Sequence, residues 1–95
     1  MQRPASIDWH DDNEAVHSAK HGIPFAFAAR VFLDKNRLEI EDVRKAYDPR
    51  RFNTAGVVDS LCINVTFAMQ GTTAWIISVR PASRRERKRY GQAHS

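Results

Sequence analysis

The highest density of charged side chains lies near the C-terminus, in residues 80–89, RPASRRERKR. This segment has six basic residues and one acid, a balance of +5, whereas the whole 95-residue chain carries +4. Guanidinium groups bind phosphate oxygens in bidentate fashion, so the segment predicts contact with a nucleic acid. The alternative is a solvated helix face, which most charge runs form. The five basic side chains after Arg80 are Arg84, Arg85, Arg87, Lys88 and Arg89.

Two arginines differ from this run because each is predicted at the end of a β-strand. Arg80 ends the run 73–79, and Arg51 precedes the run 52–58. A strand fixes the position of its side chains. Two such guanidinium groups at the same side of a sheet could therefore clamp one phosphate and stabilise the charge of a transition state. Ordinary sheet-edge charge is the alternative interpretation.

The histidines and the cysteine do not predict a metal or cofactor site. His17 and His21 have the spacing of a two-histidine metal pair, but Ser18 replaces the glutamate of the H-E-x-x-H pattern and no third ligand is evident. His21 is interpreted instead as a helix-capping cation or an acid–base group. Cys62 is the only cysteine, which excludes a cysteine zinc site and an internal disulfide. The chain has no glycine-rich phosphate loop and no nucleophile elbow, so no cofactor is expected.

The elements that must position these side chains begin with a strand and two helices. A short strand is expected at 7–9, followed by two helices that together cover about 11–33. Gly22 suits the end of the first helix, and Pro24 suits the first turn of the second. Residues of the second helix recur at helical spacing, so this helix should face the core; they are Phe25, Ala28, Ala29 and Phe32.

The rest of the chain predicts four strands and one short helix. Leu38 and Ile40 alternate with Glu39 and Glu41, which predicts a half-buried strand with an acidic outer face. Gly56 is a candidate bulge in the next strand. The last three strands are predicted at 52–58, 61–69 and 73–80, and the helix at about 84–91.

The strands 61–69 and 73–80 form the clearest predicted hairpin. In the first strand, the odd-numbered residues face one way and the even-numbered residues the other. The second strand is predicted to carry Thr73, Trp75, Ile77 and Val79 on one face and Ala74, Ile76, Ser78 and Arg80 on the other. Ser83 and Glu86 then match the capping box of a helix N-terminus.

This order of elements predicts an α+β fold, with an antiparallel β-sheet, two N-terminal helices and a short C-terminal helix. The length and the 42% hydrophobic content suit a single domain over 1–95 with a core of about 6–91. No apolar run approaches the ~20 residues of a membrane span, and no secretory signal opens the chain. We therefore expect a cytoplasmic protein with no membrane contact.

Four segments carry a resemblance to a known family. They are IDW at 7–9, KHGIPF at 20–25 with its continuation to Asp34, Arg51-Phe52 before Gly56, and WIISVRPASRRERKRY at 75–90. Together they resemble the BrnT-type ribonuclease toxins of bacterial type II toxin–antitoxin systems, over almost the whole chain. The sequence departs from the family pattern in the first helix, where His10 and Asn13 replace an aspartate and a lysine. His17 stands there in place of an asparagine.

The resemblance implies a RelE-like fold and a ribonuclease that cuts RNA without a metal and thereby inhibits translation and growth. It also implies neutralisation by a small ribbon-helix-helix antitoxin in a hetero-oligomer that contacts operator DNA only through the antitoxin. Carried over by position, the site residues are Lys20, His21, Arg51, Arg80, Glu86 and Tyr90.

We expect these residues to divide the chemistry of RNA cleavage between them. Arg80 and Arg51 would bind the scissile phosphate and its developing charge. Lys20 or His21 would serve proton transfer or phosphate placement, with Glu86 or Tyr90 as alternatives. A different class of function stays open, in which the basic end belongs to a non-catalytic module that binds an acidic protein or a nucleic acid.

Overall fold

The computed structural model describes residues 3–93, and the order of their elements agrees with the prediction. Of the predicted domain 1–95, residues 1, 2, 94 and 95 lie outside the described range. No helix within residues 3–93 is long and apolar enough to cross a membrane. The elements are β1 (Ser6–Trp9), α1 (Asp11–His21), α2 (Phe25–Ala28), a 3₁₀ turn (Ala29–Leu33), β2 (Leu38–Asp42), β3 (Arg51–Val58), β4 (Leu61–Gln70), β5 (Thr73–Pro81) and α3 (Arg84–Ala93).

The five strands form one sheet in the order β1-β5-β4-β3-β2. The strands β2 to β5 are antiparallel, but β1 pairs with β5 in parallel, so the sheet is mixed and the prediction of a wholly antiparallel sheet is wrong. The difference follows from the connections. Tight hairpins can join only antiparallel neighbours, whereas β1 reaches the edge of the sheet long before β5 in the sequence and has no hairpin with it.

One face of the sheet is covered by α2 and the 3₁₀ turn, and we call it the core face. Phe25, Val31 and Phe32 are almost completely buried there. Phe32 meets Phe67 of β4 edge-to-face with 5.0 Å between the ring centroids. The second helix was predicted over 24–33, but it is α-helical only over Phe25–Ala28 and then tightens into the 3₁₀ turn. The buried Arg37 donates a hydrogen bond to the Phe32 carbonyl, which satisfies an acceptor at this helix end.

The opposite face of the sheet, which we call the open face, carries the even-numbered residues of β4. Ile63, Val65 and Phe67 belong to the core, whereas Asn64 and Thr66 line a cleft on the open face. The predicted alternation in β4 is therefore confirmed. Its regularity reflects the sequence, in which apolar side chains occupy every odd position.

The predicted faces of β5 are wrong beyond its middle because the strand contains a bulge at Ile77. Thr66 of β4 pairs with Ser78 and Phe67 pairs with Ile76, so Ile77 has no partner on β4. The extra residue reverses the alternation. Consequently Val79 joins the core cluster beside Ile76, and Arg80 emerges on the open face.

The strand β2 also faces the opposite way to the prediction. Ile40 is paired with Asn53 of β3 and is 54% exposed on the open face, where it lines the cleft together with Leu38. The glutamates face the other way and are held by arginines, Glu41 by Arg50 and Glu39 by Arg37. The alternation is real, but the apolar side of this edge strand belongs to the open face and lines the cleft, whereas the predicted side faces the core.

Gly56 in β3 is not a bulge, because the pairing of β3 with β4 is unbroken from Arg51 to Val58. Its absent side chain instead allows the 3₁₀ turn to approach the sheet. A Cβ at this position would lie 2.7 Å from Cγ2 of the buried Val31 and 3.2 Å from Cβ of Arg37. The glycine is thus a packing requirement of the core.

We predict that Gly56→Ala lowers the free energy of unfolding by about 1–3 kcal/mol, because the added Cβ would overlap the fully buried Val31. Gly91→Ala in α3 is the matched control, since a Cβ there meets nothing within 4 Å and alanine favours a helix. Urea unfolding of both variants measures the effect. Equal stability of the two variants would contradict the close approach.

Candidate functional site

The open face and α3 enclose a cleft of about 400 Å³. Three arginines line it, and the other polar groups are two amides, one hydroxyl and one carboxylate. Such a cleft offers mainly hydrogen-bond donors and positive charge, which suits an anionic ligand. Its lining residues are Leu38, Ile40, Arg44, Asn53, Ala55, Asn64, Thr66, Arg80, Glu86 and Arg89.

A bidentate ion pair between Arg80 and Glu86 forms one wall of this cleft. Nη1 of Arg80 donates to Oε1 of Glu86 at 2.7 Å and Nη2 donates to Oε2 at 2.8 Å. Arg80 is held by its place near the end of β5, and Glu86 is held by its place in the first turn of α3. The Arg80 side chain is 44% exposed, so part of its guanidinium group remains accessible to a ligand.

Glu86 accepts two further hydrogen bonds, which occupy its remaining lone-pair positions. Nδ2 of Asn64 donates to Oε2 at 2.9 Å, and the backbone N–H of Ser83 donates to Oε1 at 2.8 Å. The Ser83 hydroxyl in turn accepts from the Glu86 backbone N–H, so the predicted capping box is confirmed. One carboxylate thus joins the end of β5, the middle of β4 and the start of α3.

The electrostatics of Glu86 suit an orienting group. The hydrogen bonds from Arg80 lower the pKa of Glu86 to about 2, against the opposing effect of its burial. The same contact raises the pKa of Arg80. At neutral pH both groups are therefore charged, so the carboxylate can hold the guanidinium in one orientation.

Tyr90 lies one helical turn after Glu86 and does not line the cleft. Its hydroxyl donates to Oδ2 of Asp34 at 2.6 Å, and the same oxygen accepts from the backbone N–H of Val57 at 2.9 Å. Burial, followed by the contact with Asp34, raises the pKa of Tyr90 to about 12. The geometry makes Tyr90 an anchor that ties α3 to the 3₁₀ turn and β3.

The basic side chains of residues 84–89 lie on different faces of α3. Arg89 lines the cleft, and Arg85 lies one turn earlier on the same stripe of the helix. Arg87 turns back and donates to the Ala82 carbonyl at 2.7 Å. Arg84 and Lys88 are exposed. Only part of the +5 segment therefore faces the cleft.

Arg51 lies at the opposite end of the sheet from Arg80. Since β3 and β5 are both antiparallel to β4, they run in the same direction, and the start of one is far from the end of the other. Four residues along and two strands across place their Cα atoms on the order of 16 Å apart. The Arg51 guanidinium packs over the Tyr47 ring at 4.4 Å. A two-arginine clamp on one phosphate would need the two strand ends to lie on the same side of the sheet. They lie at opposite ends, so this condition is not met.

Lys20 and His21 form the last turn of α1, and neither lines the cleft. Lys20 is exposed and His21 is half-buried. His17 stacks on Phe25 with 6.4 Å between the ring centroids, which gives it a packing role. Within residues 3–93, no group of three His, Cys, Asp or Glu side chains is arranged to hold a metal ion.

Four polar residues of the cleft are absent from the sequence-based prediction. Asn53, Asn64 and Thr66 lie on strands, and the Thr66 hydroxyl donates to Oδ1 of Asn53 at 2.6 Å. Polar side chains at alternate positions of an otherwise apolar strand are a signal in the sequence that could have identified these residues. Arg44 lies after β2 in a loop, where no periodicity marks it.

A comparison with known protein families matches residues 9–86 to a family described as the ribonuclease toxin BrnT of type II toxin–antitoxin systems. The match covers most of the chain and includes three arginines of the open face, Arg44, Arg51 and Arg80, together with Glu86. No curated protein matches the chain.

We predict that Glu86→Gln makes the protein less stable at pH 7 by about 1–2 kcal/mol, allowing for solvent screening. Because the folded-state pKa of Glu86 lies below its ordinary value, its contribution is present above about pH 4.5 and disappears as the pH falls towards 2. The difference between the two proteins in urea unfolding should therefore shrink across this window.

Asp59→Asn is the control for this measurement, because it removes an exposed carboxylate that forms a similar ion pair with Arg30. Exposed ion pairs contribute little, so this variant should stay close to wild type. A Glu86→Gln protein that differs from wild type equally at pH 7 and pH 2 would contradict the assigned charge state.

Proposed function

The chain belongs to the BrnT family of ribonuclease toxins of type II toxin–antitoxin systems, and on that premise we propose that it cleaves RNA in the cleft beside Arg80 without a metal ion. The observation that carries the proposal is the Arg80–Glu86 ion pair, which presents a permanently charged, oriented guanidinium at the wall of a donor-rich cleft. A phosphodiester is the anion that this arrangement fits best.

The proposed reaction uses the nucleophile that RNA itself carries. The 2′-oxygen attacks the adjacent phosphorus and gives its proton to solvent water, while the bond from phosphorus to the 5′-oxygen breaks. The 5′-oxygen takes a proton from water, so the products are a 2′,3′-cyclic phosphate and a free 5′-hydroxyl. Arg80 stabilises the negative charge that develops on the phosphoryl oxygens. Among residues 3–93, no histidine or lysine lines the cleft. Orientation of the 2′-oxygen in line with the leaving group, together with charge stabilisation, therefore supplies most of the acceleration.

Lys20 and His21 are proposed to place the substrate. They form the last turn of α1, which packs against β5, the strand that carries Arg80. Their position outside the cleft favours contact with the RNA backbone over contact with the reacting atoms. Arg85 and Arg89 on α3 are proposed to bind the backbone from the other side of the cleft.

The type II family implies a cognate antitoxin as a partner. We propose that this antitoxin is a small ribbon-helix-helix protein, that toxin and antitoxin form a hetero-oligomer, and that operator DNA is contacted only through the antitoxin. The exposed basic side chains of α3 offer charge complementarity to an acidic segment of such a partner. The sheet with helices on its core face also supports a RelE-like fold, and an RNA substrate supports action in the cytoplasm.

We predict that Arg80→Ala reduces the rate of RNA cleavage on the order of 10²–10³-fold, because one donor to the developing charge is lost. Arg80→Lys should recover only part of the rate, since an amine cannot form the planar two-point contact with Glu86. The measurement is single-turnover cleavage of labelled RNA in EDTA.

Arg30→Ala is the matched control for this test. Arg30 forms the same kind of two-point contact with Asp59, but on a surface away from the cleft. It should leave cleavage and growth inhibition unchanged. Full activity of a folded Arg80→Ala protein would remove Arg80 from the reaction, and intact RNA with wild-type protein would favour a binding module.

A further inference from the structure

A second arginine–carboxylate pair faces Arg80 from the other end of the cleft. Nε of Arg44 donates to Oδ1 of Asp42 at 2.9 Å, and Nη2 donates to Oδ2 at 2.7 Å. The Asp42 side chain is only 4% exposed, whereas that of Arg44 is 80% exposed. A buried carboxylate therefore holds a guanidinium that is itself accessible to a ligand, as Glu86 does for Arg80.

Tyr47 and Arg51 complete this second cluster. Arg51 is paired with Asp42 across β2 and β3 and packs over the Tyr47 ring, and Tyr47 also contacts Arg44. Arg44 acts on Asp42 through hydrogen bonds and charge, and Arg51 acts on it through charge. Together they lower the pKa of Asp42 to about 2. Two cations then share one anion, which leaves the cluster with a net positive charge. Because Asp42 engages Nε and Nη2 of Arg44, Nη1 lies on the edge directed away from the carboxylate.

The two arginine–carboxylate pairs are too far apart to serve one phosphate. From the pairing register, Arg80 and Asp42 lie four residues along and three strands across, which places their Cα atoms on the order of 20 Å apart. The surface between them is lined by Leu38, Ile40 and Asn53. Apolar side chains and one amide form the floor between the two charged sites, and this span can accommodate more than one nucleotide of a single strand.

We propose that Arg44, supported by Tyr47 and Arg51, forms a second phosphate-binding subsite that holds another phosphate of the same RNA strand, more than one nucleotide away from the scissile one. This inference rests on the proposed function and assigns Arg51 to that second phosphate. The protein then recognises a single-stranded segment with at least two phosphates, and a substrate with only the scissile phosphate leaves the subsite empty.

The test compares Arg44→Ala with Arg50→Ala. Arg50 belongs to the same loop and forms a two-point contact with Glu41, but it packs over Phe52 and does not line the cleft. For an RNA oligonucleotide, Arg44→Ala should raise KM on the order of ten-fold or more, because charge-assisted hydrogen bonds are lost. Arg50→Ala should not. For a dinucleotide with one phosphate, neither change should matter, whereas Arg80→Ala should impair both substrates.

Binding of a 2′-deoxy oligonucleotide, which lacks the nucleophile, separates the subsite from the reaction. Arg44→Ala should make the slope of log K against log salt less steep by about 0.7, the value for one phosphate of a single strand. Arg44→Lys keeps a countercharge for Asp42 and should show an intermediate loss of affinity, which guards against misfolding of the alanine variant.

The outcomes are distinct. Equal losses for Arg44→Ala and Arg50→Ala, or no loss for Arg44→Ala, would overturn the subsite. If Arg44→Ala weakened binding, Arg50→Ala did not, and the wild-type protein left RNA intact, the subsite would be supported and the proposed cleavage refuted.

Discussion

The arrangement of the cleft depends on the two-point contact between Arg80 and Glu86. Glu86 is the only acid among the charges of α3, and it places that charge at the helix N-terminus, where the helix dipole favours it. By accepting from Arg80, Asn64 and Ser83, it joins two strands to the helix. Without it, the like charges of the helix would face an uncompensated Arg80, and the Arg80 guanidinium would lose its fixed orientation.

Two backbone features decide which side chains reach this cleft. The bulge at Ile77 sends Arg80 to the open face while Val79 stays in the core. The close approach at Gly56 brings the 3₁₀ turn, and with it Asp34, near the sheet. Asp34 then accepts a hydrogen bond from Tyr90, which anchors the second half of α3. A ligand-binding surface on one face thus depends on the packing of the other.

The order of elements and the faces of β4 could be predicted from sequence because they rest on local signals. Alternation, capping residues and turn residues act within a few positions, and the capping box at Ser83 is one example. The direction of β1, the bulge in β5 and the outward side of β2 could not, since each depends on residues far away in the chain. One unpaired residue, Ile77, was enough to reverse the predicted faces.

For the candidate site, several of the residues could be predicted from the sequence, but not which of them lie close together. The resemblance to BrnT toxins drew attention to Arg80, Glu86 and Arg51, yet strand direction separates Arg51 from the other two. Arg44 had no signal, because a loop arginine is recognisable only when its carboxylate partner and the cleft are known. Contacts between distant residues, which no local pattern encodes, define this site.

The most direct test of the Arg80–Glu86 cleft as the RNA site is a crystal structure with a non-cleavable 2′-deoxy oligonucleotide. The predicted result is one phosphate within hydrogen-bond distance of the Arg80 guanidinium, inside the cleft, with the Glu86 contact intact. An oligonucleotide bound along the outer face of α3, with no phosphate at Arg80, would contradict it.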